Sequence, residues 1–310
     1  MGSLDSEHTA PLLRASGATI FAPPNHVLFA RQGTLMTQRF DARRRRLVGD
    51  PLATGEIAGS QGQFTTAPAA SVSRTGVIVH PIGDAPNTRL VWFGRDGRPQ
   101  GALPLPEAVH TTPQLSQDGT RLAFSTRNSN RTSDIWIFEI ARGVSTRFTF
   151  DPSLNVFAVW SPDGTRIAFS SDRGGTRDIF VKSTSGAEPE KAILTGGLFK
   201  DACAWSPDGT LLVYRTHDPK TQFDLWHVAT SGEGEPTRYL ATPYNEPAAA
   251  ISPDGRWIAY LSDESGRLEV YAQSFPEPGH KHRISTAGAV EGLLAWTRGG
   301  NEILYLGGDA

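Results

Sequence analysis

The tetrapeptide Ser-Pro-Asp-Gly occurs three times in this chain, at Ser161–Gly164, Ser206–Gly209 and Ser252–Gly255. Three degenerate copies begin at positions 73, 116 and 297. The six copies therefore start at positions 73, 116, 161, 206, 252 and 297, with steps of 43, 45, 45, 46 and 45 residues. A period near 45 residues predicts a tandem repeat of one structural unit.

Each copy sits in the same pattern of short apolar runs. In the third copy, Trp160 precedes the turn, Ile167-Ala168-Phe169 follows it, and Asp178-Ile179-Phe180 and Ala192-Ile193-Leu194 come later. Runs of this length, rich in β-branched and aromatic residues and bounded by Gly, Pro and Asp, are typical of strands. Four strands per 45-residue repeat predict an all-β propeller built of four-stranded antiparallel blades.

The repeat also predicts how the chain divides. We expect a single β-propeller domain over residues 1–310, with blades near 17–54, 65–104, 110–149, 155–195, 200–240, 246–285, and 291–310 plus 1–14. In this seven-bladed reading, strands from the N- and C-termini share one blade and close the ring, which leaves no open sheet edge. The alternative is six blades, in which the N-terminal strand set itself completes the last blade.

Composition excludes several classes of protein. Lys and Arg number 30 and Asp and Glu number 32, so the formal net charge is −2, and a nucleic-acid binder held by bulk positive charge is not expected. The single cysteine, Cys203, excludes an internal disulfide and a thiolate zinc cluster. No apolar run approaches the roughly 18–20 residues of a membrane helix, so no membrane insertion is expected. We expect a monomer that binds a small molecule, a peptide or a protein.

Candidate site residues come from the blade geometry. The first strand of each blade lines the central channel and ends at the Ser-Pro-Asp-Gly turn, so residues six positions before each turn should ring the opposite, top-face mouth. That column reads Ala67, His110, Asn155, Lys200, Glu246 and Glu291, with Ser16 in the first blade. Polar groups converging on an apolar channel are typical of a ligand site.

The expected ligand-binding residues extend this column. Asp201 lies one residue further in than Lys200, and His80 and His217 fall in top-face loops. The predicted ligand-binding set is His110, Asn155, Lys200, Asp201, Glu246, Glu291, His217 and His80. A structural role is the competing interpretation, in which Lys200 pairs with Asp201 or Glu246 at a solvated mouth.

Three column residues also form a candidate metal site. His110, Glu246 and Glu291 could hold a divalent cation, with oxygen ligands favouring Ca²⁺ or Mn²⁺ and added histidine favouring Zn²⁺. Such a metal would activate water, with His110 and Glu246 as candidate catalytic residues. The alternative function is therefore a metal-assisted hydrolase of lactones, esters or phosphotriesters at the central channel.

Several motifs resemble a known family. The Ser-Pro-Asp-Gly copies followed by Ile-Ala-Phe/Tyr strands resemble the TolB-type, WD-repeat-like propeller family. Further segments resemble the propeller region of bacterial, acidobacterial-type serine/threonine protein kinases: Thr34-Leu35-Met36, Leu90-Val91-Trp92-Phe93, Asp134-Ile135-Trp136, Phe148-Thr149-Phe150-Asp151-Pro152 and Ser262-Asp263-Glu264-Ser265-Gly266. The sequence contains neither a His-Arg-Asp catalytic loop nor the Gly-x-Ser-x-Gly elbow of propeller-capped peptidases.

The resemblance implies a binding or sensor module that uses its top face, and this is the function we expect first. A standalone chain would be cytoplasmic, whereas a segment of a membrane-anchored kinase would lie in the periplasm or outside the cell. Because propellers host unrelated activities, the family alone does not decide between binding and hydrolysis.

Overall fold

The computed structural model describes residues 2–3, 19–22, 25–31, 34–41, 44, 46–56, 71–72, 78–82, 88–93, 99–128, 132–240, 242–296 and 300–307. All regular structure in these ranges is β-strand, and the strands pair antiparallel into seven sheets. The predicted all-β fold of four-stranded antiparallel sheets is confirmed. The described ranges hold no helix that is long and apolar enough to cross a membrane.

The chain divides into two compact units, residues 11–151 and residues 1–10 with 152–310. The first unit contains three four-stranded sheets. Their strands are β2 Thr19–Ala22, β3 His26–Arg31, β4 Thr34–Asp41 and β5 Arg46–Glu56; β6 Ser71–Val72, β7 Ile78–Ile82, β8 Arg89–Phe93 and β9 Pro99–Ala102; and β10 Val109–Leu115, β11 Arg121–Arg127, β12 Ser133–Glu139 and β13 Val144–Arg147.

The second unit contains three four-stranded sheets and one of three strands. The four-stranded sheets are β14 Asn155–Trp160, β15 Arg166–Ser171, β16 Asp178–Ser183 and β17 Lys191–Leu194; β18 Lys200–Trp205, β19 Leu211–Asp218, β20 Gln222–Ala229 and β21 Thr237–Arg238; and β22 Ala249–Ile251, β23 Trp257–Ser262, β24 Glu269–Ser274 and β25 Lys281–Arg283. The last sheet orders β1 Gly2–Ser3, β27 Glu302–Gly307 and β26 Ala289–Trp296, so an N-terminal strand pairs with the C-terminal hairpin.

The three Ser-Pro-Asp-Gly turns close the first hairpins of their sheets through local hydrogen bonds. The Ser161 hydroxyl donates to Asp163 Oδ1 at 2.6 Å, and the Gly164 N–H donates to the Ser161 carbonyl at 2.9 Å. Gly164 has φ +68°, a left-handed conformation that glycine adopts without strain. Hydrogen bonds from the Ser161 hydroxyl, which has the largest effect, and from the Thr165 N–H lower the pKa of Asp163 to about 2. Each turn is therefore a self-contained, fully bonded element.

Consecutive sheets of the second unit pack face to face through apolar side chains. Ile179 of one sheet and Trp205, Leu212 and Tyr214 of the next belong to a single buried cluster. The Trp205 indole N–H also donates to the Val159 carbonyl of the preceding sheet at 3.0 Å. Burial of such side chains stabilises each by about 1.5–3 kcal/mol, which makes the tryptophan before the turn a fastening point between repeats.

A bulge interrupts the first strand of the sheets on the side away from the turn. Pairing with the second strand shifts between Val156 and Val159, and again between Ala202 and Ala204. Phe157 in the first of these bulges has φ +54°, which is rare for a bulky residue. The bulge re-aims the side chains that follow the start of the strand.

Candidate functional site

Two first strands of the second unit are hydrogen-bonded near their start to the sheet before them. In the second unit the Lys200 N–H donates to the Arg177 carbonyl at 2.9 Å, and the Glu246 N–H donates to the Phe223 carbonyl at 2.6 Å. Arg177 directly precedes the third strand of its sheet, and Phe223 is the second residue of the third strand of the next sheet. These bonds bring the starts of the first and third strands together at the end of the sheets opposite the Ser-Pro-Asp-Gly turns, which we call the lead-in end.

The predicted column residues His110 and Asn155 each bond to the segment that leads into their own strand. His110, in the first unit, has Nε2 3.0 Å from the Pro106 carbonyl and Nδ1 3.0 Å from Thr126 Oγ1. Burial lowers the pKa of His110, and the bond to Pro106 opposes this effect. In the second unit, Asn155 Nδ2 donates to the Ser153 carbonyl at 3.2 Å. Both side chains are buried.

Lys200 also bonds to the segment that leads into its own strand, but its side chain is positively charged. Its Nζ donates to Asp178 Oδ1 at 3.0 Å, to the Leu198 carbonyl at 2.9 Å and to the Gly196 carbonyl. The expected pairing of Lys200 with Asp201 or Glu246 is therefore wrong. The lysine instead crosses to the third strand of the preceding sheet, because backbone carbonyls of its own lead-in segment hold the ammonium beside Asp178.

Glu246 stands 46 residues after Lys200 and carries the opposite charge. Its Oε1 accepts a hydrogen bond from the Thr242 hydroxyl, whereas its Oε2 is buried and has no hydrogen-bond partner. The residue is 0% exposed. Burial raises the pKa of Glu246 to about 7; the bond from Thr242 opposes this rise, and the negative charge of Asp224 adds to it. Burial therefore favours the protonated, neutral form of this carboxyl group.

Asp201 faces two arginines that the sequence patterns did not single out. Arg215 donates to Asp201 Oδ2 from Nε at 3.2 Å and from Nη2 at 3.0 Å, and Arg177 Nη1 donates to Asp201 Oδ1 at 2.7 Å. Both the aspartate and Arg215 are buried. One carboxylate thus neutralises only one of two guanidinium charges.

Aromatic side chains surround these arginines. His217 stacks on Phe199 at 5.1 Å between ring centroids and lies edge-on to Phe223 at 5.2 Å. The rings are half-buried. The sequence did hold a signal for part of this group. Arg177 and Phe223 are 46 residues apart, and each stands directly before an aspartate followed by an apolar and an aromatic residue, at Asp178 and Asp224.

The remaining predicted site residues lie elsewhere. Glu291 is half-buried in β26; burial raises its pKa, and the charge of Arg215 opposes this rise. His80 lies in β7 of the first unit and His217 in β19, so the prediction that both fall in loops is wrong. Ala67 and Ser16 fall outside the described residues. No group of three or more His, Cys, Asp or Glu side chains able to hold a metal ion occurs in the described part of the chain.

The lead-in end also carries exposed apolar side chains at a repeating position. Leu198, Tyr244 and Val290 are 40%, 39% and 43% exposed. Their positions differ by 46 and 46 residues, and each stands one or two residues before a predicted column residue. Three consecutive sheets of the second unit thus present one large apolar side chain each. We call this set the apolar row; its spacing was visible in the sequence.

Comparison with known proteins places the fold. Residues 105–242 match the family described as TolB beta propeller domain. The chain is 28% identical over 160 residues to the Tol-Pal system protein TolB of Wolinella succinogenes, covering 50% of this chain and 37% of that protein. It is 39% identical over 106 residues to the uncharacterized peptidase YuxL of Bacillus subtilis, covering 32% of this chain and 16% of that protein. The chain therefore spans well under half the length of these curated relatives.

A solved structure agrees with this assignment. The crystal structure of TolB from Acinetobacter baumannii superposes with a TM-score of 0.62 at 17% identity, over 87% of this chain and 66% of that one. Together the matches support a TolB-type propeller fold. The predicted similarity to kinase propellers is not among these findings and stays a prediction.

Proposed function

We propose that this chain is a protein-binding propeller and that a segment of its partner docks on the lead-in end of the second unit. The observation that carries the proposal is the apolar row of Leu198, Tyr244 and Val290. Single exposed apolar residues are ordinary on protein surfaces, but one large apolar side chain on each of three consecutive sheets is a repeated feature, and exposed apolar surface of this kind is a candidate interaction site. The likeness to proteins named for the Tol-Pal system supports a protein as the partner.

The charges beside the row favour a peptide-like partner over a purely apolar one. Phe199, next to Leu198 in sequence, packs against Arg177, so a cationic and aromatic group adjoins the first member of the row. Interface hot spots are enriched in aromatic residues and arginine. An extended segment with apolar side chains would cover the row and leave polar atoms at its rim.

The experiment selects random peptides by phage display on the wild-type protein and measures their affinity for variants by calorimetry. We expect Leu198→Asp and Tyr244→Asp each to weaken the selected peptides about tenfold or more, because each buries a charge in the interface. Val144→Asp is the matched control, since Val144 is 46% exposed on a different sheet and should leave affinity unchanged. Equal binding to the wild type and to both row variants would overturn the proposal.

Two further predictions from the sequence await their own tests, one on the ring and one on a metal site. The seven-blade count and the closure of the ring stay predictions; the pairing of Gly2–Ser3 with β27 supports them, and an experimental structure would test them. A divalent cation at His110, Glu246 and Glu291, with hydrolysis at the channel, also stays a prediction, which metal analysis of the purified protein would test.

A further inference from the structure

Five side chains of the second unit alternate between phenylalanine and arginine in a continuous stack. The guanidinium carbon of Arg177 lies 4.4 Å from the Phe199 ring centroid and 5.7 Å from that of Phe157. The guanidinium carbon of Arg215 lies 5.8 Å from Phe157 and 4.2 Å from Phe223. Phe157 is therefore shared by both arginines, and each guanidinium carbon lies within 5.8 Å of two ring centroids. Arginine–aromatic contacts of this kind are attractive, the more so where water is excluded.

The stack holds its arginines rigidly. Arg215 is fixed by Asp201 and also donates from Nη1 to the Pro247 carbonyl at 2.6 Å, with only 6% of its side chain exposed. Phe157 reaches its central place from a left-handed backbone conformation at the strand bulge. Strain of this kind persists where surrounding contacts over-determine it. A preformed, stiff guanidinium loses little freedom when it binds a ligand.

Arg177 is the member of the stack with unused donors. A guanidinium carries five N–H groups, and in the described residues only Nη1 of Arg177 has an acceptor, Asp201. The Nε and Nη2 atoms are not among the buried unpartnered groups, and 18% of the side chain is exposed. Solvent therefore reaches the free edge of the guanidinium.

Arg173, four residues earlier in the same loop, provides the contrast. Its Nε donates to Ser171 Oγ at 3.0 Å, its Nη2 donates to Asn155 Oδ1 at 3.1 Å, and its Nη1 bonds Glu190. It is 22% exposed, close to the value for Arg177. Exposure is thus similar, but all three guanidinium nitrogens of Arg173 have an acceptor within the fold, whereas, in the part of the chain described, only one nitrogen of Arg177 has one.

We propose that the free edge of Arg177 binds a carboxylate of the docked partner segment, as an acidic side chain or a C-terminus. This inference rests on the proposed function, because it assigns the polar anchor beside the apolar row. A planar, singly charged carboxylate matches one guanidinium edge with two parallel hydrogen bonds. A phosphate dianion fits less well, because Asp201 already places a negative charge on the neighbouring nitrogen and Glu291 adds another near Arg215.

The test uses three acetylated dipeptides as probes: Leu-Glu-amide, Leu-Gln with a free C-terminus, and Leu-Gln-amide. The Nε–Hε resonance of Arg177 in the nitrogen–proton NMR spectrum reports contact on the wild-type protein itself. We expect one or both carboxylate probes to shift this resonance and to bind about tenfold more tightly than Leu-Gln-amide. The probe that wins tells an acidic side chain from a chain terminus.

Variants give the second arm of the test. Arg177→Gln should abolish the preference for carboxylate, whereas the exposed Arg142→Gln, 71% exposed on another sheet, should leave it intact. Equal binding of acid and amide probes to the wild type, or a preference that survives Arg177→Gln, would overturn the inference. If the preference is present but Leu198→Asp and Tyr244→Asp do not weaken the selected peptides, the carboxylate site stands and the apolar row fails. If the row variants weaken the selected peptides but acid and amide probes bind equally, only the carboxylate site fails.

Discussion

The two ends of the strands in residues 152–310 are built on opposite principles. At the turn end the three Ser-Pro-Asp-Gly copies make the same bond: the serine hydroxyl donates to the aspartate at 2.6 Å in Ser161, at 2.5 Å in Ser206 and at 2.6 Å in Ser252. At the lead-in end the equivalent positions hold Asn155, Lys200 and Glu246, which are neutral, cationic and acidic. Identical residues therefore mark the end that builds the repeat, and varied residues mark the end where repeats differ.

The residues at the lead-in end differ in charge, but each forms its hydrogen bond at the same place in the repeat. Asn155, Lys200 and Glu246 each bond a residue two to four positions earlier, in the segment that leads into their own strand. Lys200 meets Asp178 of the preceding sheet, whereas Glu246 has Asp224 there as a second acid, and its Oε2 is left without a partner. The same position in the repeat thus holds a fully hydrogen-bonded ion pair at Lys200 and, in the next repeat, a buried carboxyl group with one unpartnered oxygen at Glu246.

Breaking the ion pair at the lead-in end should have the largest effect. Lys200→Met would leave Asp178 as a buried carboxylate without its cation, since the two side chains are 8% and 6% exposed. Loss of one partner of a buried pair costs about 3–5 kcal/mol of unfolding free energy. Urea unfolding measures the loss, and the exposed pair of Lys281 with Glu264 gives the control, for which Lys281→Met should cost less than about 1 kcal/mol. Similar losses of unfolding free energy in both variants would show that the pair of Lys200 with Asp178 does not stabilise the contact between the two sheets.

The buried carboxyl group of Glu246 predicts that the free energy of unfolding depends on pH. The folded pKa of Glu246 is about 7 and its ordinary value 4.5, so between these values the folded protein retains a proton that the unfolded chain has released. Stability should therefore fall as pH rises through this window, by at most on the order of 3 kcal/mol at about 1.4 kcal/mol per unit.

Glu246→Gln isolates this effect. The variant should be more stable than the wild type at about pH 8 and lose most of that advantage near pH 4, as measured by thermal unfolding across the range. Glu233→Gln, at an exposed loop position, should leave the pH profile as it is in the wild type. A wild-type profile that is flat between pH 4.5 and 7, or unchanged in Glu246→Gln, would contradict the assignment.

At the turn end the effect should be smaller and depend on packing between repeats. Gly255 has φ +73°, and a Cβ there would lie 3.3 Å from Pro207 Cδ of the preceding turn. Gly186 has φ +71° with nothing within 4 Å. Both alanine variants meet the left-handed penalty of about 1–2 kcal/mol, and Gly255→Ala should cost more in urea unfolding because it also crowds the proline. Equal costs would mean that the backbone conformation alone requires glycine at this turn.

Much of the fold could be predicted because its signals are local. The bonds of the Ser-Pro-Asp-Gly turn join residues two to five positions apart, as in Ser161 with Asp163 and Arg166, so the tetrapeptide contains nearly all that the turn needs. The alternation of turns with short β-branched and aromatic runs then predicts four-stranded antiparallel sheets, which the structure confirms. The apolar row could have been found in the same way, from its constant spacing.

The candidate site depended on tertiary structure. The counting that selected Lys200 placed it correctly at the start of a strand but predicted the wrong partner, because Asp201 is already held by Arg177 and Arg215, 24 and 14 residues away in sequence. The alternating stack joins Phe157, Arg177, Phe199, Arg215 and Phe223 from two consecutive sheets. Sequence alone determined which residues form each sheet, since strand and turn propensities act over a few residues. Which charged and aromatic side chains meet was decided by the stacking of one sheet on the next, because that contact joins residues with no regular spacing.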